Sequence, residues 1–97
     1  MAGYRINYNK VVSQANDIKD LSSDLGREIT NLENLLAQIK REWYGPASDA
    51  FQKQLLMLIA DMKTTKYNMS SVSSTVKNVA NRIQKEDERL AAKLAQG

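Results

Sequence analysis

Asp20 and Asp24 stand four residues apart, and Glu28 follows Asp24 at the same interval. On a helix these three carboxylates share one face and could hold a cation weakly, although a solvated face or the basic residues of a partner is the commoner meaning of such a row. No stronger constellation accompanies it. The chain has no His and no Cys, which removes thiolate and imidazole metal sites, disulfides, and any nucleophile that relies on an adjacent imidazole base. No pair of carboxylates is fixed opposite another across a predictable cleft, so the expectation is a protein that is not an enzyme and uses neither metal nor cofactor.

The basic residues are distributed unevenly. Residues 1–45 carry six basic and six acidic side chains, whereas from Lys53 to Lys85 six basic residues face a single Asp61. This excess reads either as a solvated helix face or as a surface for an acidic partner or a phosphate backbone. Aromatic residues are not interleaved with it and no turn separates two short helices, so nucleic acid is the weaker reading.

The elements that position these groups follow from apolar spacing. Val11, Ala15, Ile18, Leu21, Leu25 and Ile29 recur in steps of three and four, and Leu32, Leu36, Ile39 and Trp43 continue the pattern. That is a helical stripe close to the coiled-coil period, with Asn, Asp, Lys, Ser, Glu and Gln between its members. A first helix is expected over about 8–42. Gly26 lies inside it, and either permits close approach of a second helix or is simply tolerated there. After Pro46 the stripe resumes with Phe51, Leu55, Leu58 and Met62, and runs on through Met69, Val72, Val76, Val79 and Ile83 to Leu90. The spacing of Val72, Val76 and Val79 is helical despite their β-branched side chains. A second helix is expected over about 46–92, with a frayed tail.

Between the two stripes lies "REWYGPASDAF", which holds the only Trp, Phe and Pro of the chain. Gly45 supplies backbone freedom for a reversal at residues 43–45, and Pro46 suits the first position of a helix, where its missing N–H is no loss. The expected fold is therefore all-α, a single antiparallel helical hairpin over residues 1–97. Trp43 and Phe51, coming from opposite sides of the turn, are expected to close the end of its seam.

Apolar residues are left over. In "LLMLIA" (55–60), Leu56 and Ile59 fall beside the main stripe, as do Val12 and Leu35 in the first helix. A helix apolar around its circumference is buried on more than one side. Val12, Leu35, Leu56 and Ile59 are thus the expected dimer interface, through which two hairpins pack as a four-helix bundle. At 97 residues a single copy is in any case marginal in the surface it buries. The N-terminus is polar and no apolar run approaches the roughly 18 residues of a membrane span or the 7 to 15 of a signal-peptide core. The expectation is a protein without an integral membrane segment, cytoplasmic when made, that would leave the cell without a cleavable leader.

The length, the central turn, and Trp43-Tyr44-Gly45 followed by Ala50-Phe51 resemble the WXG100 family, small early-secreted-antigen-like proteins of type VII secretion systems. The resemblance covers essentially the whole chain. It implies export by a membrane-bound secretion ATPase, as a homodimer or as a heterodimer with another small helical protein of this kind or a larger type VII toxin, with Trp43, Tyr44 and Gly45 as the recognition surface. The family's Tyr-x-x-x-Asp/Glu export signal is missing: four positions after Tyr4, Tyr8, Tyr44 and Tyr67 stand Tyr8, Val12, Ser48 and Ser71. Glu86 and Asp87 with Leu90 and Leu94 resemble instead the acidic, apolar-punctuated tails of some members and are the candidate tail signal. The departure implies an adaptor role and partner-dependent export. The basic excess agrees, since it would oppose an identical copy and attract an acidic partner. A basic coiled-coil structural or nucleic-acid-associated module is the alternative.

Overall fold

The computed structural model describes residues 7–96. It contains two helices, α1 (Tyr8–Glu42) and α2 (Pro46–Gln96), packed antiparallel in a body of 78 × 18 × 15 Å. At 1.5 Å per residue the 51 residues of α2 account for the long dimension by themselves. The Cα radius of gyration, 22.3 Å, compares with about 13 Å for a compact domain of 100 residues. Such a shape has two layers and no third.

α1 begins at Asn7, whose side-chain carbonyl oxygen accepts the Lys10 N–H at 3.0 Å and satisfies one of the first-turn donors. It ends at Trp43, whose N–H still donates to the Ile39 carbonyl while its own φ and ψ are extended. Lys40 and Arg41 occupy the last turn, where cations meet the negative end of the helix dipole. Gly45 then takes φ +120°, which side-chain-bearing residues rarely adopt, and its carbonyl accepts the Asp49 N–H at 3.0 Å to begin α2. α2 continues beyond residue 92, where the sequence leads one to expect fraying, to Gln96. The closing segment is rich in Ala, with Lys93, Leu94 and Gln96 also good helix formers, and an Arg89–Glu86 ion pair supports the turn before it.

The seam changes character along its length. Near the turn Ile29, Leu36, Leu55 and Ile59 form a buried aliphatic cluster, flanked by Leu25, Leu32, Ile39 and Met62. Farther away the buried positions are Ala15, Ser22, Ser73 and Ala80. Small side chains let the two backbones approach, and the hydroxyls then reach across. Ser73 Oγ donates to the Ala15 carbonyl at 2.6 Å and Ser22 Oγ to the Lys66 carbonyl at 3.0 Å. Each of these buried hydroxyls is thereby paired, which removes the desolvation cost of burying it.

Beyond the seam, α2 overhangs. The Tyr8 hydroxyl donates to Asp87, so the residues after Glu88 run past the first turn of α1. The Tyr8 phenol is pushed above its ordinary range, chiefly by this hydrogen bond and further by desolvation and the negative charges of Asp87 and Glu88. A group whose pKa is raised on folding stabilises the fold below its unfolded value and loses that contribution as pH climbs through the folded one. The Tyr8–Asp87 contact is therefore expected to persist through neutral pH and to open only in alkali above about pH 10. Titrating the Tyr8 ring by NMR should give a lower midpoint in Asp87→Asn, and identical midpoints would show that the contact is not formed in solution.

Candidate interaction surfaces

Seven-residue rows on each helix divide the hairpin into two flanks. On α1, the row Val11, Ile18, Leu25, Leu32 and Ile39 borders the seam on one side, and Leu21 and Leu35 lie just outside it. On α2, Phe51, Leu58, Val72 and Val79 form an exposed row at the same interval, with Thr65 completing it. These rows belong to one flank. One groove is lined by Leu21 and Leu25 from α1 and Met69 from α2 together with the charged Asp24, Arg27 and Glu28, and another, more apolar, by Tyr8 and Val11 with Val76, Val79 and Ile83.

The opposite flank is polar. Lys63 reaches Glu33 at 3.2 Å, Lys77 reaches the Asn16 side-chain oxygen at 2.9 Å, and the Lys66 stem crosses Gly26. A Cβ on Gly26 would stand 2.7 Å from Lys66 Cε. What lies against this glycine is the side chain of a lysine and not the backbone of the second helix. A flexible side chain can move aside, so Gly26→Ala is expected to be tolerated.

The four residues expected at a dimer interface do not share a face. Ile59 is only 4% exposed and belongs to the hairpin's own core. Leu56 is 49% exposed but continues the row of Lys63, Ser70 and Lys77 on the polar flank. Val12 likewise lies in the row of Lys19, Gly26 and Glu33, and is half-buried. Leu35 alone sits on the apolar flank. The physical reason is that the stripe on α2 is wider than the seam. The α1 helix covers Leu55, Ile59, Ser73 and Ala80, which rotates Phe51, Leu58, Val72 and Val79 out of the expected core and into solvent. The apolar stripe of α2 combines two seven-residue rows, and Phe51, Leu58, Val72 and Val79 are its outer edge.

At the tip, Trp43 and Phe51 meet with ring centroids 5.8 Å apart and planes tilted by 49°, a favourable aromatic arrangement. They do not seal the seam as expected, because Trp43 remains 43% exposed and Phe51 46%. The seal is Ser48, fully buried, whose Oγ donates to the Trp43 carbonyl at 2.8 Å and accepts from Gln52 at 3.0 Å. Tyr44 projects outward, its hydroxyl donating to the Arg41 carbonyl at 2.8 Å at the end of α1. The turn is thus held rigidly from within and displays Trp43 and Tyr44 outward. Added bulk at Gly45 would meet nothing within 4 Å, so its requirement is the positive φ alone.

Of the tail residues, Asp87 is engaged by Tyr8 and Glu86 by Arg89, while Leu90 and Leu94 are exposed. The carboxylate row lies on the surface of α1, with Asp24 paired to Arg27. Among the described residues no group of three or more Asp and Glu is placed to hold a metal ion, and no helix is long and apolar enough to cross a membrane.

The chain is a long antiparallel helical hairpin whose Trp-x-Gly turn displays Trp43 and Tyr44 outward. The family described as proteins of 100 residues with WXG, WXG100, matches residues 3–88, and the chain belongs to it. Its members are small helical proteins secreted through type VII systems without a signal peptide and are not known enzymes. Curated proteins contain no match to the chain.

Proposed function

We propose that this protein is a type VII secretion substrate or secretion adaptor that works as one half of a four-helix bundle, with Trp43, Tyr44 and Gly45 contributing to recognition by the secretion ATPase. The observation that carries the reading is the exposed apolar flank. Phe51, Leu58, Val72 and Val79 on α2, with Leu21 and Leu35 on α1, are exposed along one side of a hairpin that has no third layer to cover them, interrupted by Thr65 on α2 and Glu28 on α1. Covering it is worth roughly 25 cal/mol for each Å² of apolar surface removed from water, the dominant driving force for association.

Half of the basic excess does not oppose an identical copy on this flank, although Arg82 and Lys85 line a groove with Val79. Lys63, Lys66 and Lys77 all turn toward the other side, where they meet Glu33, Gly26 and Asn16. A second copy of this chain, another small hairpin of the family, or the helical part of a larger toxin can each supply the missing layers. Glu86, Asp87, Leu90 and Leu94 act in this reading as the tail signal, displayed on the overhang of α2.

Two variants test the proposal. Leu58→Glu combined with Val72→Glu places carboxylates in the middle of the apolar flank without touching the hairpin core. Light scattering at tens of micromolar is expected to fall from the mass of two hairpins to that of one, with or without a co-expressed partner, and an unchanged assembly would reject this flank as the interface. Trp43→Ala separates recognition from folding. Because the ring is only partly buried, the loss should fall well below the about 3 to 5 kcal/mol of a core tryptophan, while the amount of protein in the medium of the native host collapses. Undiminished export of this variant would remove the turn from the recognition surface.

A further inference from the structure

The polar flank has features that neither the hairpin core nor a paired apolar flank uses. Lys66 and Lys77 are half-buried: the Lys66 stem lies over the backbone of Gly26, and the Lys77 ammonium is held 2.9 Å from the Asn16 side chain. The Lys77 ammonium is thereby held at the cleft between α1 and α2, and the Lys66 stem lies across the same cleft, whereas long cationic side chains ordinarily trail into solvent. Glu33 is already occupied by Lys63. Lys19 adds a further positive charge one heptad from Gly26.

We propose that this flank is a second docking surface, which receives an acidic helical segment of another protein. Lys66 and Lys77 are eleven residues apart on one helix, roughly 16 Å at 1.5 Å per residue. Carboxylates at positions i, i+4, i+7 and i+11 of an incoming helix stand on one face with the same overall span, so a helix lying along the cleft meets both ammonium groups at once. An incoming helix about 10–12 Å across fits a body 18 Å wide. A nucleic-acid duplex fits less well. It carries one negative charge per about 1.7 Å of axis, and on so narrow a body that charge would run beside the exposed carboxylates of Asp17, Asp20 and Asp24 on α1. The inference stands apart from the pairing of the apolar flank, because in a two-hairpin bundle the lysine flanks still face outward.

The test is an NMR titration of the intact, isotope-labelled protein with two probes. One is a 21-residue Ala-rich helical peptide bearing Glu at i, i+4, i+7 and i+11, and the other is a 15-base-pair DNA duplex. Expected with the peptide are amide shifts confined to the surroundings of Asn16, Gly26, Lys66 and Lys77, with Leu58 and Val72 unmoved. Lys66→Gln combined with Lys77→Gln should weaken binding roughly tenfold, the effect of losing two partly exposed ion pairs. Arg82→Gln combined with Lys85→Gln, which removes the same charge from a groove of α2 beside Val79, should leave it unchanged. Equal weakening by both double variants, shifts spread over every basic residue, no shifts at millimolar peptide, or tighter binding of the duplex would each overturn the proposal. Light scattering of the Lys66→Gln/Lys77→Gln protein keeps this result separate from hairpin pairing, since the assembly state should not change.

Discussion

Ile59→Ala is expected to destabilise the hairpin by about 2 to 5 kcal/mol, the range for emptying a buried aliphatic site. Ile59 lies with Ile29, Leu36 and Leu55 in the aliphatic half of the seam. Only six apolar residues among those described are buried, so a single truncation removes a large share of the core. For a protein whose whole stability falls in the ordinary range of 5 to 15 kcal/mol, that loss leaves little margin. Leu56→Ala, three positions away along α2, should change stability by less than about 0.5 kcal/mol, as is usual at exposed positions. Urea unfolding followed by circular dichroism, at one fixed protein concentration because association adds to apparent stability, distinguishes the two. Comparable losses for both variants would mean that Leu56 is covered in solution and that the flank assignment is wrong.

The second large effect is expected at Ser73→Leu. Ser73 is 1% exposed and its hydroxyl is bonded to the Ala15 carbonyl across the seam. A leucine there has no room, because Ala15 opposes it and Ser22 and Ala80 are the neighbouring buried positions. Overpacking costs about 1 to 3 kcal/mol, and the lost hydrogen bond about 1 more. The helices are expected to part over the half distant from the turn while the aliphatic half holds. Hydrogen exchange should therefore accelerate in α1 from Val11 to Ser22 and change little around Leu36. Ser73→Ala keeps the close approach and removes only the bond, so a loss near 1 kcal/mol is expected. If leucine at this position left exchange and melting unaltered, the close approach of the two helices at Ala15 would not exist.

These two sites also show why the sequence read well in one half of the seam and poorly in the other. Near the turn the core is made of Ile and Leu, which announce themselves by spacing. In the distant half it is made of Ala15, Ser22, Ser73 and Ala80. Serines in "MSSVSSTVK" are indistinguishable by composition from a solvated face, and only a facing carbonyl turns Ser73 into a buried residue. The larger valines beside it, Val72 and Val79, were the natural choice for core and lie outside. Hydrophobicity ranks a side chain's preference for burial; it does not say which residues leave enough room for two backbones to meet.

The sequence by itself determined that the chain is all-helical, that it reverses once at Gly45, and that it belongs with small proteins built around a Trp-x-Gly turn. Each of these rests on local physics: a period near 3.6, a residue able to take positive φ, and a proline placed where its missing donor is harmless. Only the tertiary structure decided which edge of the broad apolar stripe on α2 turns inward. Packing against α1 took Leu55, Ile59, Ser73 and Ala80, which put Phe51, Leu58, Val72 and Val79 on one flank and Lys63, Lys66 and Lys77 on the other. That choice is a rotation of α2 about its own axis, set by the close contacts of small residues, with lysine stems then finding Gly26 and Glu33 across the cleft. A periodic pattern is nearly indifferent to such a rotation, and so the surfaces offered to partners were the part of this protein that the sequence left open.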